Sequence, residues 1–371
     1  MSRGVTVAVA LSGGVDSSTA AALLLEDARR VIALTMLTGL EPPGLREAAA
    51  RVAAHLGLEH AFVDVRRAFR ESVVEPFCRA YLAGRTPNPC VGCNRLLKFG
   101  QLRRAARSLG ADLLATGHYA RVAQDPAGVW RLYRGVDPVK DQSYFLYALG
   151  QEDLAGVLFP LGGLTKVAVR RLAAERGLPV SGGESQDACF VGTPGHVGLV
   201  EEMALLLAPD APGLRPGPIL DTAGRRLGTH RGLHRYTVGQ RRGLGGGASQ
   251  ALYVVALVPE VGAVVVGGAD EVESRWLEAE EASFVTGRPP DGGALVEAKV
   301  RYRARGVRAR LSLPAGQPQG RFRLNFEEPQ VAAPGQAVVL YEGEECLGGG
   351  IIARTEASER GRSVALGPGM A

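Results

Sequence analysis

Two groups of side chains in this 371-residue chain are of the right type and spacing for covalent chemistry. The first is Ser12-Gly13-Gly14-Val15-Asp16-Ser17, directly after the apolar run from Val5 to Leu11. Such a run reads as a buried strand, and the Ala- and Leu-rich stretch from Ser17 to Glu26 reads as a helix. A glycine-rich turn between them leaves backbone N–H groups bare and aims them, with the positive end of the helix dipole, at one point. An anion belongs there, since Gly13 and Gly14 carry no Cβ to exclude its oxygens. The GxxxxGK[ST] spacing of a Walker loop is absent. The second group is a set of thiols. Thr86-Pro87-Asn88-Pro89-Cys90-Val91-Gly92-Cys93-Asn94 reads as a proline-braced loop opening a helix at Asn94. A thiol at a helix N-terminus has its thiolate stabilised by the dipole, so Cys93 is expected to have a lowered pKa and to be nucleophilic. Ser185-Gln186-Asp187-Ala188-Cys189-Phe190-Val191-Gly192 sets Cys189 in a second polar segment. No second CxxC accompanies Cys90 and Cys93 as a zinc site would require.

The elements around these residues must bring them together. Strands are expected at residues 31–37, 61–65 and 113–116, and helices at 45–56, 67–82 and 94–109. Alternating strands and helices imply an α/β, doubly wound parallel sheet with ligands at the strand C-terminal ends. The phosphate loop, Met36 and Gly117-His118 all fall at that edge. Beyond residue 192 a helix is expected at 195–207, then Pro and Gly become frequent and short strand-like runs follow, which indicates all-β modules. The expected domains are 1–192, a small central domain at 193–271, and a C-terminal β-barrel at 272–371. The stretch from Glu356 to Ala371 is expected to lack regular structure.

Composition narrows the setting. Hydrophobic residues make up 46% of the chain, ample for real cores, and the apolar N-terminal run is far too short to span a membrane. Five scattered cysteines do not form a disulfide framework and suit a reducing, cytoplasmic location. The net charge is +5, and nearly all basic residues are Arg, with Lys at 98, 140, 166 and 299 alone. Residues 225–242 carry six Arg and two His with no acid, and residues 299–323 carry Lys299 and seven Arg with none. Lys299, Arg301, Arg303 and Arg305 alternate at period two, so they are expected on one strand face, with Tyr302 interleaved, suited to a phosphate backbone.

Taken together, SGGVDS, TPNPCVGCN, ATGHY (115–119), KDQSYFL (140–146), SQDACFVG (185–192), HRYTVGQRRGLG (234–245) and KVRYR (299–303) resemble the tRNA-specific 2-thiouridylases. These are a branch of the PP-loop ATP pyrophosphatases, and the resemblance runs in order from residue 5 to about 355. It implies ATP-dependent 2-thiolation of the tRNA wobble uridine. The C2 oxygen is adenylated with release of pyrophosphate, and sulfur then displaces AMP. ATP would be held by Ala10, Leu11, Ser12, Gly13, Gly14, Val15, Asp16, Ser17, Met36 and Gly117, with Asp16 on Mg²⁺. Asn88, Pro89 and Cys90 would meet the target base. His118, Lys140, Asp141, Gln142, Arg301, Tyr302 and Gln336 would contact tRNA.

The resemblance makes Cys189 the carrier of a persulfide received from a sulfur-relay donor protein, and Cys93 the nucleophile that releases its sulfur, leaving a disulfide. Some relatives have Asp where this chain has Cys90. Cys90, Cys93 and Cys189 therefore also allow a [4Fe-4S] cluster with one open iron, and both sulfur routes stand at this point. Partners would be the tRNA anticodon loop and the sulfur donor, with no membrane, and the protein is expected to be a monomer. The rival readings are a sulfur transferase acting on another RNA base, and an RNA-binding protein with a vestigial nucleotide site.

Overall fold

The computed structural model describes residues 4–27, 30–180, 189–192, 195–244, 251–313 and 320–367. Strands β1 (Thr6–Ala10), β2 (Arg30–Leu37), β3 (Glu59–Asp64) and β4 (Leu113–Ala115) carry the first sheet. The hairpin β5 (Ala120–Gln124) and β6 (Trp130–Arg134) follows, then the short β7 (Val157–Leu158). The first sheet has order β3-β2-β1-β4-β7, with every pairing parallel. Its period-two pattern splits β1 between two cores. Val7 and Val9 pack with helices α1 (Val15–Glu26) and α2 (Leu45–His55) on one face, while Ala8 faces Leu102, Ala106 and Leu114 on the other. The sheet is therefore doubly wound, and the strand order reverses beside β1, where the β1–α1 turn and Gly117 meet.

The central domain holds β8 (Gly217–Asp221), β9 (Arg226–His230), β10 (Tyr253–Val258) and β11 (Ala263–Gly267), ordered β10-β11-β8-β9. Six antiparallel strands then close a barrel: β12 (Ser274–Phe284), β13 (Leu295–Lys299), β14 (Val307–Ser312), β15 (Phe322–Gln330), β16 (Ala337–Glu342) and β17 (Glu345–Thr355). The order β12-β15-β14-β13-β16-β17 is completed by pairing of β12 with β17, which leaves no open edge in the ring.

Three elements differ from the sequence expectation. The helix following the proline-braced loop starts at Pro89, not Asn94, and runs to Ser108 with a π-helical stretch over Cys93–Leu102. Proline is well placed at a first helical position, because its missing N–H is one the helix leaves unpaired anyway. The tail is not irregular: Glu356–Leu366 is a helix, started by a capping box between Thr355 and Ser358 and seated on Ala256 through Gly361. The strand carrying Lys299 ends at that residue, so Arg301, Arg303 and Arg305 lie exposed in the following turn while Lys299 is buried.

The first domain and the barrel are also less separable than their sequence boundaries suggest. The β5–β6 hairpin leaves the first domain and extends the barrel sheet, pairing Tyr133 with Glu345 and Leu132 with Cys346. One core runs through both, from Ala8 and Leu114 to Leu132, Tyr144, Ala337, Val339 and Tyr341. Ion pairs Arg121–Glu344, Arg131–Glu345 and Arg134–Glu297 line the same joint. An N-terminal fragment without residues 272–371 would expose that core, so the first domain is not built to stand alone.

Candidate active site

The β1–α1 turn is built as the sequence implies, but its two glycines do different work. Gly13 has φ +76, and a Cβ there would come within 2.6 Å of Ala48 on α2. Its lack of a side chain thus serves close packing against α2. A Cβ on Gly14 would meet nothing nearer than the Ser12 hydroxyl at 3.6 Å, so this is the glycine facing open space. Gly14 caps α1 without any side-chain hydrogen bond, which leaves the first-turn N–H groups for an anion. Ser12 and Ser17 are tied together, hydroxyl to hydroxyl at 3.1 Å. Gly117, at the end of β4, fits flush against the turn: a Cβ would lie 2.9 Å from the Ser17 nitrogen. Ala10 ends β1, Leu11 is buried with its carbonyl bonded by Thr35, and half-buried Met36 stands near the end of β2.

Asp16 is not free. Lys166 Nζ donates to both of its carboxylate oxygens at 2.7 Å, and Tyr119 Oη donates to one at 2.7 Å. The Lys166 side chain is only 7% exposed against 34% for Asp16, so the lysine is fixed and the carboxylate faces the cleft. Neither Lys166 nor Tyr119 stands out as a site residue in the sequence. A signal for Lys166 existed: it is one of four lysines in a chain that otherwise uses Arg. Two of the four, Lys140 and Lys166, line the same cleft.

That cleft, about 1240 Å³, is lined both by Ser12, Gly14, Asp16 and Lys166 and by Asn88, Pro89 and Cys90. Tyr302 and Gln336 from the barrel form part of its wall. Tyr302 packs on Phe145 with ring centroids 4.4 Å apart and planes tilted by 41°, which puts two aromatic rings in the cleft wall. Lys140, Gln142 and Arg303 also line the cleft, and Gln142 Oε1 accepts the Tyr119 N–H at 3.1 Å. Arg301 is exposed beside it in the turn.

Two expected RNA contacts receive other work. Asp141 is 4% exposed, and its carboxylate accepts the N–H groups of Gly135 and Ser143 and the Ser143 hydroxyl, so it shapes the loop from within. His118 is 7% exposed, bonded through Nδ1 to Thr116 at 2.7 Å, and burial holds its pKa well below the usual value, so the ring is neutral.

Cys90 and Cys93 share one helix, and Cys189 lies in their neighbourhood. Asn88 caps the helix that starts at Pro89, which places Cys90 in its first turn and Cys93 one turn further in. The expected lowering of the Cys93 pKa is not found: burial pushes it up, and pushes Cys90 up to about 11. Desolvation of the thiolate outweighs the helix dipole, whose effect fades beyond the first turn. Lys98 opposes the rise at both thiols, and a charged Cys189 adds to it, which places Cys189 in their neighbourhood. Cys189 itself is exposed. Residues 181–188 of its segment, Ser185 to Ala188 included, lie outside the described residues. The next residue, Phe190, anchors the segment edge-on between Phe69 (5.4 Å) and Phe77 (5.3 Å), in the same core that Cys93 borders. Phe190 thus joins the two cysteine segments, a role that its place in the string does not signal.

The remaining cysteines, Cys78 and Cys346, are buried with raised pKa values, as inert thiols should be. Among the described residues no three His, Cys, Asp or Glu side chains gather as metal ligands. Cys90, Cys93 and Cys189 are accordingly not gathered as the three ligands of an iron–sulfur cluster among the described residues. His230 and His234, four residues apart, are likewise committed elsewhere, to Gly262 and Gly232 and to Gly213 and Glu201. Among the described residues no helix is long and apolar enough to cross a membrane.

Comparison with known proteins bears on this geometry. Residues 5–193 match a family model described as a tRNA methyl transferase HUP domain. Residues 210–268 match the PRC-barrel domain of the same family, and residues 274–352 an aminomethyltransferase beta-barrel domain. The chain is 47% identical over 349 residues to the tRNA-specific 2-thiouridylase MnmA of Desulforudis audaxviator, covering 94% of this chain and 98% of that one. It is 47% identical over 363 residues to the protein of the same name from Chloroflexus aggregans, covering 94% and 99%. With that from Moorella thermoacetica it shares 46% over 359 residues, covering 93% and 98%. Among solved structures, the U34-tRNA thiolase NcsA from Methanococcus maripaludis overlaps 56% of this chain and 67% of its own at 19% identity. Its TM-score of 0.33 is too low to argue from.

Proposed function

The chain belongs to the tRNA-specific 2-thiouridylase family, and from that premise we propose that it activates C2 of the tRNA wobble uridine with ATP and replaces the oxygen by sulfur at Cys93 and Cys189. The observation that carries this reading is one cleft lined both by an anion-binding helix start with Asp16 and Lys166 and by the Cys90 loop. Adenylation needs the first set of residues and sulfur transfer needs the second.

In the first step the uridine C2 oxygen attacks the α-phosphorus of ATP. The bond to the β-phosphate oxygen breaks, and pyrophosphate leaves against the α1 N-terminus. Asp16 is the carboxylate that would hold the Mg²⁺ accompanying ATP, which neutralises the leaving phosphates. Before ATP arrives, Lys166 neutralises Asp16. In the second step exposed Cys189 carries a persulfide from the relay protein. The Cys93 thiolate attacks the Cys189 sulfur, a Cys93–Cys189 disulfide forms, and hydrosulfide leaves. Hydrosulfide adds to C2, AMP departs with its bonding pair, and loss of a proton leaves C2=S. A dithiol reductant returns the disulfide to two thiols.

Exposure suits Cys189 for receiving sulfur from another protein, and half-buried Cys93, bordering the core around Phe190, is better shielded for releasing it. Lys140, Arg301, Tyr302 and Arg303 at the mouth supply phosphate and stacking contacts for a splayed anticodon base. The test is tRNA-dependent pyrophosphate release together with nucleoside mass spectrometry of the product. The expected result is one 2-thiouridine per pyrophosphate. Sulfur on a different base, or pyrophosphate release indifferent to tRNA, overturns the assignment.

A further inference from the structure

The segment that leads into the cysteine helix is held from the far end of the chain. Thr86 N–H donates to the Pro334 carbonyl at 2.8 Å. Gln336 Nε2 donates to the Thr86 carbonyl at 3.0 Å and to the Pro87 carbonyl at 3.2 Å. Arg85 reaches Glu280 on β12 at 2.6 Å, and the Thr86 hydroxyl meets Thr237 of the central domain at 3.2 Å. Gly335 makes the approach possible: it has φ +94, and a Cβ there would lie 2.8 Å from the Thr86 nitrogen and 2.9 Å from its oxygen. The turn before β16 therefore fits the backbone of residues 85–87 and no bulkier surface.

Stiffness carries this docking onward. Pro87 and Pro89 have fixed φ, and their rings restrict Thr86 and Asn88 before them, so few torsions between the docked carbonyls and Cys90 are soft. From Pro89 the chain is already helical, and Cys90 and Cys93 ride on it. Asn94 ties the same helix to the Phe145 carbonyl at 3.1 Å, and Tyr144 Oη reaches the Ala337 carbonyl, next to Gln336, at 2.7 Å. Both amide hydrogens of Gln336 are spent on the loop, which leaves its Oε1 for anything else in the cleft.

We propose that Gln336 is a positioning residue for the thiols: its carboxamide, carried by the barrel, fixes the Thr86-Pro87 backbone and so sets where Cys90 in the cleft wall and Cys93 on the same helix stand. The barrel then serves sulfur transfer itself, besides holding RNA. The inference rests on the proposed chemistry at those thiols, but its first readout does not depend on it.

The experiment compares full-length wild type with Gln336→Ala and Gln336→Glu by iodoacetamide labelling without tRNA, each cysteine followed by peptide mass spectrometry. Removing both donors is expected to loosen the loop and speed labelling of Cys90 and Cys93 on the order of tenfold. Labelling of exposed Cys189 should be unchanged. Gln336→Glu keeps the size but puts an acceptor against two carbonyls, so it should match or exceed Gln336→Ala. Thr237→Val, which removes the hydroxyl touching the same loop from the central domain, should move labelling the same way by a smaller factor, and stands in if a Gln336 variant fails to fold. In turnover, kcat for thiolation should fall while KM for tRNA and the rate of pyrophosphate release hold. Unchanged labelling with a loss confined to KM makes Gln336 an RNA contact only and overturns the proposal. Wild-type labelling in Gln336→Glu overturns it as well, because filling the space would then be enough. If Cys93→Ser still thiolates tRNA, the proposed chemistry fails while the labelling result stands.

Discussion

The two ends of the cleft are built in opposite ways. The nucleotide end is local: one strand, one turn and one helix within residues 6–26 supply the anion site, and Lys166 and Gly117 complete it from the same sheet domain. The thiol end is assembled from afar. Its loop is held by Gln336 from 249 and 250 residues away, its helix by Phe145, and Cys189 by the wedge of Phe190 between Phe69 and Phe77. The electrostatics differ too. Asp16 sits partly open with a cation on it, whereas Cys90 and Cys93 are half-buried and desolvation pushes their pKa values up. A phosphate site needs charge and bare N–H groups, which a few consecutive residues provide. A sulfur-transfer site must keep water from a reactive sulfide, and that takes walls from several parts of the chain.

The sharpest way to separate the two ends is to remove the charge at Asp16. Asp16→Asn is expected to lower thiolation by about 10²- to 10³-fold or more, through loss of the adenylation step. Affinity for tRNA, measured by filter binding, should stay near wild type. It also leaves buried Lys166 without its anion, so the melting temperature should fall. Undiminished pyrophosphate release in this variant would detach the turn from the mechanism.

Substitutions at the other end should have the complementary signature. Cys93→Ser and Cys189→Ser are each expected to stop 2-thiouridine formation while tRNA-dependent pyrophosphate release continues. Cys90→Ser should keep substantial activity, since the persulfide route uses the other two thiols. Loss of pyrophosphate release in either of the first pair would mean that the two ends are not chemically independent.

Lys98 offers a subtler probe, read by pH. A cation beside a thiol favours the charged form, so Lys98→Met should raise the Cys93 pKa further above its already raised position. The thiolate fraction at a given pH then falls, and the curve of alkylation rate against pH moves to higher pH. Lys98→Arg should restore most of it. A curve that does not move would assign Lys98 to packing alone. The smallest effect is expected at the mouth, where Arg301→Glu with Arg303→Glu should weaken tRNA binding. Its salt dependence should flatten by about one logarithmic unit for each phosphate that is no longer neutralised.

The sequence was most legible where function is written in consecutive residues. The turn from Ser12 to Ser17, the parallel sheet, the barrel and the candidacy of Cys93 and Cys189 all follow from short strings, because strand period, turn glycines and motif spacing are local properties. The cysteine helix was expected to open at Asn94, whereas Asn88 and Pro89 begin it. The tail was misread because its capping box is short and its reason to fold, a seat on Ala256, lies 105 residues upstream of Gly361. Lys299 was misread because its strand ends at that residue, although the alternating string of basic residues continues beyond it.

Sequence alone determined the chemistry on offer: an anion site with a carboxylate, three thiols of which two follow a pair of stiff prolines, and a basic string with a tyrosine in it. Only the tertiary structure decided which groups are charged and which are held. Asp16 is paired because Lys166 is buried against it, His118 is neutral because it is enclosed, and the Cys93 pKa is raised because its neighbours strip water from much of the thiol. Ionisation and position depend on what a side chain is packed against, and in this chain many of those neighbours come from distant parts of the sequence.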